Sequence, residues 1–160
     1  MSTRELRRAV RHASKVDRLG ADASCEVCGE RDVRVLRKVG ARVLCANCHK
    51  KLQGQRPFEQ HHIAGRKNSD ATIPLPANLH SILSDAQYDW PSITLRNPSG
   101  NQFIRIAAWF RGIHDLLAQL TVMLQTRAEW FEVFSAVLEN NTGSNWSTRS
   151  EEKQGSNDEK

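Results

Sequence analysis

All four cysteines of this 160-residue chain fall between residues 25 and 48, as two Cys-x-x-Cys pairs, Cys25/Cys28 and Cys45/Cys48. Two intervening residues let both sulfurs of a pair reach one ion, and two such pairs complete a tetrahedron. Four thiolates close the coordination sphere, so the expected Zn2+ is structural and leaves no position for a substrate. The residues between the pairs fit this reading. Val33, Val35, Leu36, Val39, Val43 and Leu44 supply the β-branched and apolar side chains of a hairpin turning near Gly40. Residues 21–57 therefore read as a zinc ribbon. So short a unit has little core of its own, and zinc binding, about 10–16 kcal/mol in small peptides, becomes folding free energy.

Charge is spread unevenly around this unit. Residues 1–67 hold sixteen Lys and Arg against seven Asp and Glu, whereas residues 68–139 hold four against seven. A basic surface beside a metal site points to nucleic acid, with DNA the expected partner, because phosphate neutralisation supplies most sequence-independent affinity. Residues 1–20 read as a basic amphipathic helix. Leu6, Val10, Ala13, Val16 and Leu19 make an apolar stripe, Ser2 and Glu5 have capping-box spacing, and arginines fill the other faces. Arg7, Arg8, Arg11, Lys50, Lys51, Arg66 and Lys67 are the expected nucleic-acid contacts. Met1 to Leu19 is too polar for a signal peptide, and Arg111, His114 and Asp115 interrupt the longest apolar stretch. With paired cysteines read as metal ligands, the expectation is a cytoplasmic protein with no membrane partner.

The densest chemistry lies in residues 58–95. Phe58-Glu59-Gln60-His61-His62-Ile63-Ala64-Gly65-Arg66-Lys67-Asn68 is followed by Ile73-Pro74-Leu75 and by Asn78-Leu79-His80. Adjacent histidines at the end of a strand point to opposite sides, so one can ligate a metal while its neighbour faces a substrate. Residues 72–75 can form the second strand of a hairpin. Residues 76–87 read as a helix, with Leu79, Ile82, Leu83 and Ala86 on its apolar face and His80 in its first turn.

This ββα pattern resembles the metal finger of the HNH (His-Me finger) endonucleases. The resemblance covers residues 59–90 and implies an α+β fold: a small zinc ribbon joined to a ββα-metal finger, then a long C-terminal helix or helical hairpin. It implies that His62 is the general base and that Arg66 clamps the scissile phosphate. His61 and His80 would hold Mg2+ or another divalent ion, with Asn68 orienting His62. The family's helix often carries a second cysteine knuckle, absent here, and its central Asn falls on Ala71, with Asn68 or Asn78 as substitutes. A second register ends in Leu44-Cys45-Ala46-Asn47-Cys48-His49, but no histidine lies between Cys28 and Cys45 to serve as its base. The expected function is a metal-dependent DNA endonuclease. The alternative is a non-catalytic zinc-ribbon DNA-binding protein, a transcription or DNA-processing accessory factor, which would not need His62.

After the turn signal Asn97-Pro98-Ser99-Gly100, residues 101–139 read as helical. Phe103, Ile106, Phe110, Ile113, Leu117, Leu120 and Leu124 alternate steps of three and four, and Phe131, Phe134 and Leu138 resume the series. Such a seam is a coiled-coil signal and predicts a homodimer through residues 103–138. The competing expectation is an intramolecular hairpin whose second helix starts at Thr126, which has capping-box spacing to Glu129. Residues 140–160, rich in Asn, Ser, Gly and Glu, are expected to be disordered.

Overall fold

The structure, a computed structural model, describes residues 3–142. It is a mixed α+β chain with two separate two-stranded sheets and a long C-terminal helix, divided into two compact units, Met1–Leu117 and Ala118–Lys160.

The first unit opens with α1, Thr3–Leu19, which buries none of its residues completely. Ser2 of the expected capping box lies outside the described residues. The helix is held at its C-terminal half. Leu19 packs against the cysteine core, and Lys15 Nζ donates to the Arg34 carbonyl at 3.1 Å. The antiparallel hairpin of β1, Leu36–Val39, and β2, Arg42–Cys45, turns through Gly40 and Ala41, as the sequence predicts. Its core is Cys25, Val35, Leu36, Leu44, Cys45 and Cys48.

Helix α2, Ala46–Leu52, follows without a loop. Cys45 is its N-cap, the Sγ accepting the Cys48 N–H at 3.4 Å. The sulfur thus does for the helix what a hydroxyl or carboxylate usually does. His49, Lys50 and Lys51 fall in its last turn, where cations complement the exposed carbonyls.

Strands β3, Phe58–His61, and β4, Ile73–Pro76, pair antiparallel with His61 opposite Ile73. Helix α3 runs Ala77–Gln87. Pro76 closes the strand rather than opening the helix, and the Ala77 N–H bonds back to the Pro57 carbonyl at 2.9 Å. Leu75, Leu79 and Leu83 form a second core, covered by Ile73 and Leu116. A short helix not anticipated from the sequence, α4, Ser92–Arg96, ends on Asn97 in the left-handed region (φ 39°). The Asn97 side chain then brackets Asn101, accepting its N–H at 2.9 Å and donating to its carbonyl at 3.2 Å.

Helix α5 spans Gln102–Thr142. In the first unit, Ala108 packs into a third core with Ala64 and Trp90, and Trp90 Nε1 donates to Asp115 at 2.8 Å. Phe103, Ile106, Phe110 and Ile113, four members of the predicted seam, are exposed. In the second unit the helix runs unbroken past Thr126, whose hydroxyl donates to the Val122 carbonyl at 2.9 Å. Thr126 is therefore an interior residue bonded to the preceding turn. The expected helical hairpin restarting there is not formed, because an unbroken i→i−4 ladder leaves no N–H groups at Thr126 for a cap to satisfy. The helix also enters the segment expected to be disordered, through Asn140 to Thr142; residues 143–160 lie outside the described residues. No helix is long and apolar enough to cross a membrane among the described residues.

Candidate metal centre and histidine cleft

The two Cys-x-x-Cys turns converge. The four sulfurs lie within 4.8 Å of one another, and Cys28 Sγ is 3.7 Å from Cys45 Sγ. That separation is too long for a disulfide and close to the spacing, about 3.8 Å, of sulfurs 2.3 Å from a shared tetrahedral ion. Cys25, Cys45 and Cys48 are buried and Cys28 is exposed. The cluster could hold a structural metal ion such as zinc, and no other group of three or more ligating side chains is so placed among the described residues. His49 is not part of it.

The ribbon is tied to the second hairpin through the N-termini of two helices. Asn47 Oδ1 accepts the Asn78 N–H at 3.0 Å, and Asn78 Oδ1 accepts the Asn47 N–H at 2.9 Å. Nearby, Glu59 on β3 bridges Lys50 on α2 at 3.1 Å and His80 Nδ1 on α3 at 2.8 Å.

His61, His62 and His80 line one cleft of about 480 Å3, together with Arg66, Gln87 and Arg96. Strand alternation puts His61 inward, where it is 4% exposed, its ring meeting His80 edge-on at 5.1 Å between centroids. Burial, reinforced by His80 and His62, pulls the His61 imidazole down to about 4, so it is neutral near pH 7 and has a lone pair to offer. His80 is also held below the ordinary histidine range. Burial lowers it, and Arg66, Lys50 and Arg37 add to the effect, outweighing the adjacent Glu59 carboxylate. His62 follows the strand and is half-buried, with Nδ1 3.1 Å from the Ser69 carbonyl. A carbonyl only accepts, so this contact requires the proton on Nδ1 and leaves the Nε2 lone pair free.

The loop holding His62 is fixed from three directions. Gly65, at φ +77°, closes a turn in which its N–H meets the His62 carbonyl at 2.9 Å. The Gln87 amide donates to the His62 and Ile63 carbonyls at 2.8 and 3.2 Å. From α5, Gly112 lies so close that an added Cβ would fall 2.7 Å from Ile63 Cγ2 and overlap the Ile63 carbonyl.

Several expected roles change once partners are visible. Asn68 does not touch the His62 ring. It is buried, and its amide donates to the carbonyls of Ala64 at 3.0 Å and Thr94 at 2.8 Å, fastening the loop to α4. The Ser69 carbonyl, a backbone group invisible to residue-type reasoning, takes the orienting position instead. Asn78 is likewise committed to Asn47, and Ala71 is exposed. Arg11 is not a free cation, since it pairs with Asp89 at 2.6 Å and Asp85 at 3.6 Å. Lys50 is paired with Glu59, while Arg7, Arg8, Lys51, Arg66 and Lys67 are exposed. Gln87, which touches both His61 and the His62 loop, was missed; its only sequence signal is its place two turns beyond His80 on the same helix. Compared with known protein families, curated proteins and solved structures, the chain matches none.

Proposed function

We propose that this chain is an HNH-like endonuclease that hydrolyses DNA phosphodiester bonds, with the cysteine cluster holding a structural zinc. The observation that carries the reading is the His62 imidazole, with Nδ1 against a backbone carbonyl and Nε2 left basic, in the same cleft as His61 and His80. In this reading His62 Nε2 takes a proton from the attacking water as its oxygen bonds to phosphorus and the ester oxygen departs. Arg66, exposed in the cleft, donates to the phosphate oxygens as a planar fork.

His61 and His80 would hold the divalent ion. The donor set fits a metal that favours imidazole, such as Mn2+, Ni2+ or Zn2+, better than Mg2+, which prefers oxygen ligands. When bound, such an ion supplies charge stabilisation to the phosphate and the leaving oxygen. Glu59 accepts from His80 Nδ1, which fixes that tautomer and leaves His80 Nε2 as the ligand atom.

The test is supercoiled plasmid incubated with native chain or His62→Ala in Mn2+. Nicking by the native chain alone, with DNA binding retained by the variant, is the expected result; equal nicking by both eliminates the proposed base.

One observation favours a non-catalytic DNA-binding protein. The Gln87 amide nitrogen sits 3.3 Å from His61 Nε2 and caps a ligand atom that a metal would use. Under that reading plasmid is bound and never cut, whatever divalent ion is supplied.

A further inference from the structure

A second groove adjoins the histidine cleft. It measures about 590 Å3 and is floored by α1, the ribbon and α3, with Arg18 and Arg37 along it. The two share His80, Ser84 and Tyr88, a row at four-residue spacing along α3 and its C-cap, so they lie side by side along that row. Each is of the size that takes a ligand of nucleotide dimensions, about 300–1,000 Å3. The channel that the two grooves make across this row is net cationic, because its carboxylates, Glu59 and Asp85, are already paired, Glu59 with Lys50 and His80 and Asp85 with Arg11. Among the described residues no carboxylate pairs with Arg18, Arg37, Arg66 or Arg96, whereas Arg11 and Arg34 in the same region are neutralised by aspartates.

Tyr88 stands where the two grooves meet. It is the C-cap of α3, it lines both grooves, and it is 63% exposed. The Arg11 guanidinium, itself locked by Asp89 and Asp85, lies 6.0 Å from the ring centroid and backs the aromatic system from α1. An exposed aromatic ring beside a guanidinium, with arginines free of carboxylate partners lining the groove on either side, is the arrangement that single strands use. Bases stack on the ring and phosphates track the cations. A paired base has both faces covered by its neighbours in the duplex and cannot stack on this ring.

We propose that the channel binds a single DNA strand, with one unpaired base stacked on Tyr88 and its flanking phosphates on the Arg37 and Arg66 sides. Arg11 is then a positioning residue for Tyr88 rather than a phosphate contact. The inference deepens the nuclease reading and rests on it for the direction of the strand past His62, but the binding itself needs no cleavage.

The experiment uses the full-length His62→Ala chain with its metal intact and no added divalent ion, so that nothing is cut. Fluorescence anisotropy compares a labelled oligothymidylate with a mixed-sequence duplex of the same length. The expected result is tighter binding of the single strand. Tyr88→Ala in that background weakens it about ten-fold or more, and Tyr88→Phe restores it, with duplex binding unchanged. Arg37→Ala lowers the dependence of single-strand affinity on salt by about 0.7 in the log–log slope. Equal affinity for both DNA forms, no effect of Tyr88→Ala, or no binding of either form overturns the proposal. Tyr88-dependent binding without plasmid nicking would retain the channel and remove the nuclease reading. Nicking that depends on His62 with no role for Tyr88 would do the reverse.

Discussion

Asn47 and Asn78 cap each other. Each side-chain oxygen accepts the other's backbone N–H, at 2.9 and 3.0 Å, so the first turns of α2 and α3 satisfy one another across a chain separation of 31 residues. The N–H groups of a first helical turn have no partner within their own helix, and one exchange provides for both. Asn47→Ala and Asn78→Ala should each cost about 1 kcal/mol, in the range of a lost cap. Each bond also holds the geometry of the other, so the double variant should lose less than the sum, by roughly 0.5 kcal/mol or more. Urea unfolding of the three variants checks this, and strict additivity would show that the two bonds act independently.

Gly112→Ala discriminates between two opposite expectations. In an open helix the change would stabilise by about 0.8–1.0 kcal/mol. Here the new Cβ overlaps the Ile63 carbonyl, and overpacking costs about 1–3 kcal/mol. A lower melting temperature is expected, and with it slower nicking, because the displaced segment begins at His62. A raised melting temperature would mean that α5 has room to move.

If the four cysteines hold zinc as proposed, its removal should unfold the ribbon and α2. Elemental analysis of reduced native protein should find about one zinc per chain. Cys25→Ser or Cys48→Ser should lose most of it, together with the cooperative unfolding of the first unit. Zinc-free protein that melts like the native chain would exclude a structural role.

Acidification should destabilise the fold through His61. Its folded value near 4 lies below the ordinary 6.5, so between these values the unfolded chain binds more protons and stability rises with pH. The contribution is fully present above about pH 6.5 and is lost as the pH falls toward 4. His61→Gln lacks this titration. The native chain should therefore lose more stability than the variant between pH 7 and pH 5, a comparison that cancels proton competition at the cysteines. Parallel losses in both chains would mean that His61 is freely solvated.

We propose that α5 mediates self-association. In the first unit Phe103, Ile106, Phe110 and Ile113 are exposed; in the second, Leu120, Leu124, Phe131 and Phe134 are, with Trp130 stacked on Phe134 at 5.2 Å. The heptad spacing is complementary to a second copy of itself, so the proposed occupant is another α5. Light scattering should report a dimer at micromolar concentration and a monomer for the Ile113→Glu, Leu120→Glu variant. A soluble monomeric native chain would count against the seam.

The features legible in the sequence are those whose physics is local. Two residues between cysteines decide whether both sulfurs reach one point, and β-branched residues around Gly40 decide the hairpin between them. Helical spacing placed His80 in the first turn of α3; strand alternation did not apply to His62, which lies just past the end of β3 and lines the same cleft as His61. None of these inferences needed a partner distant in the chain.

What the tertiary structure decided is which groups meet across long separations. Arg11 reads as a phosphate contact in α1, yet Asp89, 78 residues away, neutralises it and turns it into a support for Tyr88. Asn68 reads as a partner of His62, yet its amide is taken by Thr94, 26 residues on, and the Ser69 carbonyl holds the ring. Every residue carries a carbonyl, so no residue type marks the one that will orient a histidine. Gly112 lies in an apparently ordinary helix, and its need for hydrogen at Cα exists only because Ile63 is packed against it. Spacing governs contacts within a turn or a hairpin, whereas a charge, an amide or a missing methyl takes its meaning from the surface that folding brings to it.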